Sequence, residues 1–198
     1  MVLLTETQYN PPIAFFSLLK RADGLLLEQW ENYMKQSYRN RCHILTSHGV
    51  QALAVPVKKG NKKIRITDIE IDYQQKWLDQ HLRTIQSGYG SAPFFEYYKD
   101  YFWQVYEQQP RLLWDLNLSL LKLYLKFLKL KKEVQFTQEW HPEYEGITQD
   151  MRNKLHPKIQ PDNLNVLPYK QVFGKQFAPY LSIMDLLFNQ GPEAQKYL

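Results

Sequence analysis

VLLTETQYNPPIAFFSLLKRADGLLL, residues 2–27, decides the fold class. Residues 2–4 are a short apolar run of strand type. Tyr9-Asn10-Pro11-Pro12 after it is a turn, because proline fixes φ and pushes the preceding residue out of the helical region. A helix starts at Pro12, with Phe15, Phe16, Leu18 and Leu19 at helical spacing until Asp23-Gly24 stops it. Leu25-Leu26-Leu27 is then short enough for a buried strand. The unit reads β-turn-α-β and places the turn at residues 9–12 beyond the first strand's carboxyl end, where ligands sit in open α/β sheets.

Outward from this unit, residues 28–37 are polar and aromatic, a short helix or an ordered loop. Residues 38–72 then form a basic block. It holds Tyr38-Arg39-Asn40-Arg41, candidate strands near residues 42–46, 52–57 and 64–71, and connecting turns at Ser47-His48-Gly49 and at the lysine-rich residues 58–63. The pattern predicts an antiparallel meander. Alternation sets Arg39, Arg41 and His43 on one strand face, with Tyr38, Asn40 and Cys42 on the other. In the third run the two-residue phase slips at Thr67-Asp68, which predicts a bulge or bend there.

The remainder reads as mostly helical. Leu78, Leu82, Ile85 and Tyr89 make one stripe, with Trp77, His81 and Thr84 along its edge. Ser91 is placed to cap the next helix, which Pro93 opens and Phe95, Tyr98, Phe102 and Val105 bury. Leu113, Leu116, Leu120, Leu123, Phe127 and Leu130 give a third, opposite Lys122, Lys126 and Lys129. Residues 134–137 read as a strand, residues 147–155 as at most a short helix, and Ser182 caps a helix that Gly191 ends before Pro192 begins a last short one. The expected fold is α/β: a mixed sheet with an N-terminal β-α-β unit, an antiparallel meander and a largely helical C-terminal half, in a single domain spanning residues 1–198.

Composition narrows the class. The 14 Tyr, 10 Phe and 5 Trp, with charge balanced at 25 Lys plus Arg against 20 Asp plus Glu, describe a globular chain rather than a disordered one. A net charge of +5 matters only where it is clustered. The single cysteine, Cys42, excludes an intramolecular disulfide and fits a reducing compartment. The start of the chain has no basic leader and too short an apolar run for a signal peptide, and lysines interrupt the leucine-rich stretch at 112–130. The expectation is a cytoplasmic protein with no membrane insertion.

The chemistry offers few clusters. Arg39, Arg41 and His43 near the lysine turn, with Lys58 opening it, can grip a phosphate or carboxylate through guanidinium forks. The same pattern also describes a solvated face balanced by Glu28 or Glu31. Cys42 has cationic neighbours that favour a thiolate, but alternation turns it away from both, and a small buried residue is the default. His81, one turn from Trp77 and Ile85, suits a general base lining a pocket or a structural histidine. Asp150, Arg152, Lys154, His156 and Lys158 alternate within the irregular residues 140–172 and make either a binding loop or a solvated segment. The histidines show no metal-ligand spacing, and no glycine-rich phosphate loop, serine elbow or dinucleotide fingerprint is present. Neither a metal nor a cofactor is expected.

Several runs form an ordered set: Glu28-Gln29-Trp30-Glu31-Asn32-Tyr33, Lys35-Gln36-Ser37-Tyr38-Arg39-Asn40-Arg41, Val55-Pro56-Val57-Lys58, Ile69-Glu70-Ile71-Asp72, Trp77 with His81, and Tyr89 with Ala92-Pro93-Phe94-Phe95. Arg152-Asn153-Lys154, His156-Pro157-Lys158 and Leu181-Ser182-Ile183 through Gly191-Pro192 continue it along nearly the whole chain, and the set resembles the WbqC-like family. The resemblance implies bacterial surface-polysaccharide (O-antigen) biosynthesis, in a family proposed to include amino-acyl transferases that place glycine on a sugar. Many members carry paired aspartates after the second strand. This chain has Glu28 and Glu31 there as stand-ins, and Glu6-Thr7-Gln8 where a Gln-Pro pair is common.

The leading expectation is therefore a transferase moving an amino-acyl or related group to an amino sugar nucleotide. Arg39, Asn40, Arg41 and Lys58 would hold a small anionic substrate such as a nucleotide sugar, Tyr9 or Trp77 would offer a ring face, and His81 or Glu28 would take the proton of an attacking amine. The alternative is a non-catalytic binding module that docks an anionic ligand, a biosynthetic partner or RNA. Nucleic acid ranks below small anions, because the net charge is small and no RNA-binding signature is present. Acyl donor, sugar and oligomeric state stay open at this level.

Overall fold

The computed structural model describes residues 1–60, 62–144, 149–158 and 166–198. The chain runs β1 (Val2–Thr5), α1 (Ile13–Arg21), β2 (Gly24–Leu27), β3 (Arg41–Thr46), β4 (Gly49–Ala54), α2 (Trp77–Tyr89), α3 (Phe95–Glu107), α4 (Leu113–Phe127), β5 (Glu133–Phe136), β6 (Gln149–Asp150) and α5 (Ile183–Gln190). The α/β class and the opening β-α-β unit are as the sequence predicts. β1 and β2 are parallel, with Val2 opposite Gly24 and Thr5 opposite Leu27. β5 adds in parallel beside β2, and β6 beside β1, so the sheet order is β5-β2-β1-β6. All four strands therefore deliver their carboxyl ends to one edge of the molecule.

Burial explains the strand composition. Leu3, Leu4 and Thr5 of β1 are fully buried, as expected of a parallel strand covered on both faces. α1 is buried from Ile13 to Leu19 and carries Lys20 and Arg21 in its last turn, where cations meet the negative end of the helix dipole. The buried apolar residues form one continuous cluster from Leu3 to Ala194. No helix among the described residues is long and apolar enough to cross a membrane.

Several local expectations are corrected. The meander reduces to a β3-β4 hairpin. Its third segment folds as a 3-10 turn at Ile66–Asp68 flanked by single bridges, Asn32 to Arg65, Val57 to Ile71 and Glu70 to Leu112. The phase slip at Thr67-Asp68 thus marks a full turn of helix rather than a bulge. Arg41 and His43 do share a half-buried strand face, but Arg39 precedes the strand in a turn and is buried, so the expected row of three cations loses a member. In α2 the buried face is Trp77, His81, Ile85, Gly88 and Tyr89, with Leu78 and Leu82 only partly covered, because the helix rolls toward the hairpin. At Gly88 a Cβ would lie 3.0 Å from the Leu45 carbonyl, so a larger residue would push α2 and β3 slightly apart. Ser91 makes no cap for α3, which begins after Phe94, though the expected residues are buried. In the candidate helix at 147–155, residues 149–155 form β6 and a turn, and residues 147 and 148 lie outside the described part.

The C-terminal signals are as expected. Ser182 Oγ accepts the Met184 amide 3.2 Å away and caps α5. Gly191 ends it at φ 53°, and a Cβ there would collide with the Phe94 ring. Gly191→Ala combines left-handed strain with overpacking and is expected to cost about 2–4 kcal/mol. Equilibrium urea unfolding checks this, and a loss under about 1 kcal/mol would show that the ring yields freely.

Candidate functional site

Beyond the strand ends the chain supplies an unusual density of buried charge. Glu6 follows β1, Glu28 follows β2, Thr137 follows β5, and Arg152 and Asn153 follow β6. Glu6, Glu28, Glu31 and Arg39 are all 9% exposed or less, far below the usual state of such residues.

Each group is held from several sides. Glu28 Oε1 accepts the Trp30 amide at 2.9 Å and the Thr137 hydroxyl at 2.8 Å. Its Oε2 accepts Arg152 Nη1 at 3.1 Å and the Tyr144 hydroxyl at 3.3 Å. Glu6 accepts the Asn153 amide at 2.9 Å and the Gln8 side chain at 3.2 Å. Arg39 donates Nε to Glu31 Oε1 at 2.7 Å and Nη2 to Glu31 Oε2, and it reaches Asn153 Oδ1 at 2.8 Å and Glu6 at 4.0 Å. Asn153 tolerates the left-handed backbone (φ 59°) that lets its amide and side chain serve Glu6 and Arg39 together. Arg152 spends its fork on Asp150 and Glu28 and on the carbonyls of His141 and Pro142, pinning the loop after β5 to the sheet.

The charges do not balance. Glu6, Glu28, Glu31 and Asp150 face Arg39 and Arg152, four carboxylates to two guanidiniums, and Lys154 near Asp150 adds a third positive charge without closing the gap. Burial drives the Glu31 carboxyl above its ordinary value; the Arg39 bonds oppose this, and the charges of Glu6 and Glu28 add to it. Asp150 goes the other way: burial would raise it, but its bonds to Arg152 outweigh that and hold it low. Over this floor opens a cavity of about 320 Å³, lined by Glu31, Asn32, Met34, Trp140, Pro142, Asp150 and Arg152 to Lys154. Trp140 and Met34 are exposed at its rim. Arg152 is committed to protein partners, and Lys154 is the lining cation without an ion pair among the described residues.

The sequence-predicted residues fall in separate places. Glu28 and Arg39 meet in the network just described. Tyr9, Trp77 and His81 meet elsewhere, between α2 and the hairpin. There the Tyr124 hydroxyl donates to Asn10 Oδ1 (2.7 Å), Asn10 Nδ2 to the Tyr106 oxygen (2.9 Å), Tyr106 bonds Tyr9 (2.8 Å), and Tyr9 bonds His81 Nδ1 (2.9 Å). Donation to the Ala54 carbonyl places the His81 proton on the other ring nitrogen, which leaves Nδ1 to accept the Tyr9 hydroxyl. Burial lowers His81 to about 4, so it is neutral, with both nitrogens occupied. Asn40 is buried and donates to the Val55 carbonyl at 2.8 Å. Arg41 is half-buried, its Nε without a partner among the described residues. Lys58 is exposed, pairs with Glu70 at 3.0 Å and lines a different cavity of about 140 Å³. Cys42 is buried, and burial raises its thiol to about 12, which suits packing rather than attack.

Site residues that the residue-by-residue reading did not single out are Glu6, Asn153 and Trp140. A usable signal existed: each strand of a parallel sheet ends at this edge, so the first polar residues after every strand deserve to be collected together.

The cavity at the strand ends of the parallel sheet thus has a floor rich in carboxylates and an exposed tryptophan at its rim. The chain belongs to the WbqC-like protein family, whose model matches residues 7–156 and 152–197. Among curated relatives it is similar to the uncharacterized protein Rv1507c of Mycobacterium tuberculosis (strain ATCC 25618 / H37Rv). The two are 29% identical over 227 residues, an alignment covering 100% of this chain and 96% of that protein. No solved structure matches it.

Two stability experiments test these networks. Arg39→Ala strands Glu31 in a buried site and is expected to cost about 3–5 kcal/mol in urea unfolding, whereas an exposed pair would cost under 1. His81 has a folded value near 4, below the roughly 6.5 of an unfolded histidine, so its contribution is present above pH 6.5 and lost as pH falls toward 4. The stability difference between wild type and His81→Gln should therefore shrink by about 3 kcal/mol across that window. A pH-independent difference would contradict a neutral buried imidazole.

Proposed function

We propose that the protein is a cytoplasmic transferase that places an acyl or amino-acyl group on the amine of an amino sugar nucleotide, in bacterial surface-polysaccharide (O-antigen) synthesis. Membership of the WbqC-like family supports the pathway. The observation that carries the chemistry is the excess of carboxylate over guanidinium beneath the cavity, with Glu31 in its wall and its carboxyl raised by burial. A buried excess of negative charge favours a cation, and an amine is the cationic group of such an acceptor.

In this reading the amine nitrogen loses its extra proton to the carboxylate floor, attacks the acyl carbon and forms the C–N bond. Glu31 takes the proton released on bond formation, and the leaving group departs from the donor with the bonding pair. A carboxyl raised toward neutrality is a better proton acceptor than one held at its ordinary value. Arg39 then acts through Glu31 by fixing its orientation, rather than by gripping phosphate. Glu28 sets the position of Arg152 and adds its charge to the field. Trp140 offers a ring face to a sugar, and Lys154 meets an anionic group of the nucleotide. The cavity is near the small end of ligand sites and matches a sugar unit rather than a whole nucleotide sugar.

Thermal shift with paired ligands tests this directly. A nucleotide-linked sugar bearing a free amine is expected to raise Tm, while its N-acetylated counterpart does so by much less. Glu31→Gln should weaken the free-amine ligand by about tenfold, the worth of one charge-assisted bond. Equal shifts from both ligands would remove the case for an amine site.

A further inference from the structure

The β3-β4 hairpin has one used edge and one open edge. On β3, the His43 carbonyl accepts the Ser182 amide at 2.8 Å and the Leu45 amide donates to the Tyr89 hydroxyl at 3.2 Å, so both residues turn their main chain away from β4. The Asn40 carbonyl accepts the Val55 amide at 2.7 Å, in the alternate phase. Val50 and Ala52, opposite Leu45 and His43 in register, must then turn their own N–H and C=O groups outward. Among the described residues nothing pairs with them. The Ala54 carbonyl, next in the same phase, is met by His81.

That open edge is not blunted. Edge strands of monomers usually carry lysine, proline, a bulge or an inward charge. β4 reads Gly-Val-Gln-Ala-Leu-Ala, is exposed at every position except Leu53, and leaves Val50 at 57%. Beside it lies a groove of about 230 Å³, walled by Gln51 to Ala54 and Pro56 on one side and by Gln75, Trp77, Gln80, His81 and Thr84 on the other. This wall has no Lys, Arg, Asp or Glu. Trp77 lines it and is 4% exposed, and its Nε1–H is buried without a partner among the described residues. The groove thus offers unpaired main-chain groups, neutral amides and an unmet donor, which is what an extended, uncharged strand requires.

We propose that the occupant is β4 of a second copy of this chain, paired antiparallel about a two-fold axis so that two hairpins form one four-stranded sheet. In an isologous contact each surface must complement itself. β4 meets this condition: it is the open edge, and it is also a short, uncharged strand with small side chains that satisfies such an edge. A charged strand would meet its own charge across the axis.

Sedimentation equilibrium of the full chain tests the assignment. Wild type is expected at twice 23.8 kDa. Ala52→Pro removes an N–H that points away from β3, so it should yield the monomer while leaving far-UV circular dichroism in place. Val50→Lys sets like charges across the axis and should give the same result without touching the backbone. A wild type that is monomeric at every soluble concentration would overturn the proposal, as would a dimer that survives both substitutions. A monomer that is protected at β4 from hydrogen exchange only on adding an extended peptide would overturn it in favour of a foreign strand.

Discussion

The ion pair between Glu31 and Arg39, buried beneath the carboxyl ends of the parallel strands with Glu31 in the cavity wall, is the interaction on which the site depends. Removing both charges from water is costly, and the pair persists because Arg39 approaches Glu31 with two donors and finds Asn153 and Glu6 on its remaining side. Through these contacts one guanidinium ties the loop after β2 to the turns after β1 and β6. The pair fixes geometry, and it leaves a surplus of carboxylate charge at the cavity floor.

A second polar network, running from α4 through the loop after β1 and α3 to His81 of α2, differs in kind. Tyr124, Asn10, Tyr106, Tyr9 and His81 form a buried chain of neutral groups whose donors and acceptors match in one direction. Such a chain specifies how the loop after β1 packs and leaves no titrating group for chemistry at neutral pH. The polar interior is thus charged at the strand ends and neutral under α2.

The β-α-β unit was legible because it rests on short-range signals: the apolar runs, the proline pair and Asp23-Gly24. The same holds for Ser182 and Gly191 around α5. Segment 64–71 was not legible, since its β-branched residues at near-alternate spacing fit a strand as well as a turn tied down by Leu112, and only the tertiary contact decides. Arg39 misled for a related reason. Alternation holds inside a strand, and the strand begins two residues later. Glu28 is a candidate through the family resemblance, as a stand-in for aspartates after the second strand, but its partners Thr137 and Arg152 are more than a hundred positions away, and no spacing rule connects them. His81 and Trp77 sit close in sequence and in space, yet their neighbours are tyrosines and the edge of β4 rather than the acidic floor.

The strand ends hold more carboxylate than guanidinium, and Glu31 feels the excess. Carbon-13 NMR of the glutamate side chains across an acid titration, with Glu31 assigned by its absence in Glu31→Gln, measures this directly. The expected midpoint for Glu31 lies above the ordinary 4.5 of a glutamate. A midpoint at or below 4.5 would mean that Arg39 fully compensates the site, and would contradict the account.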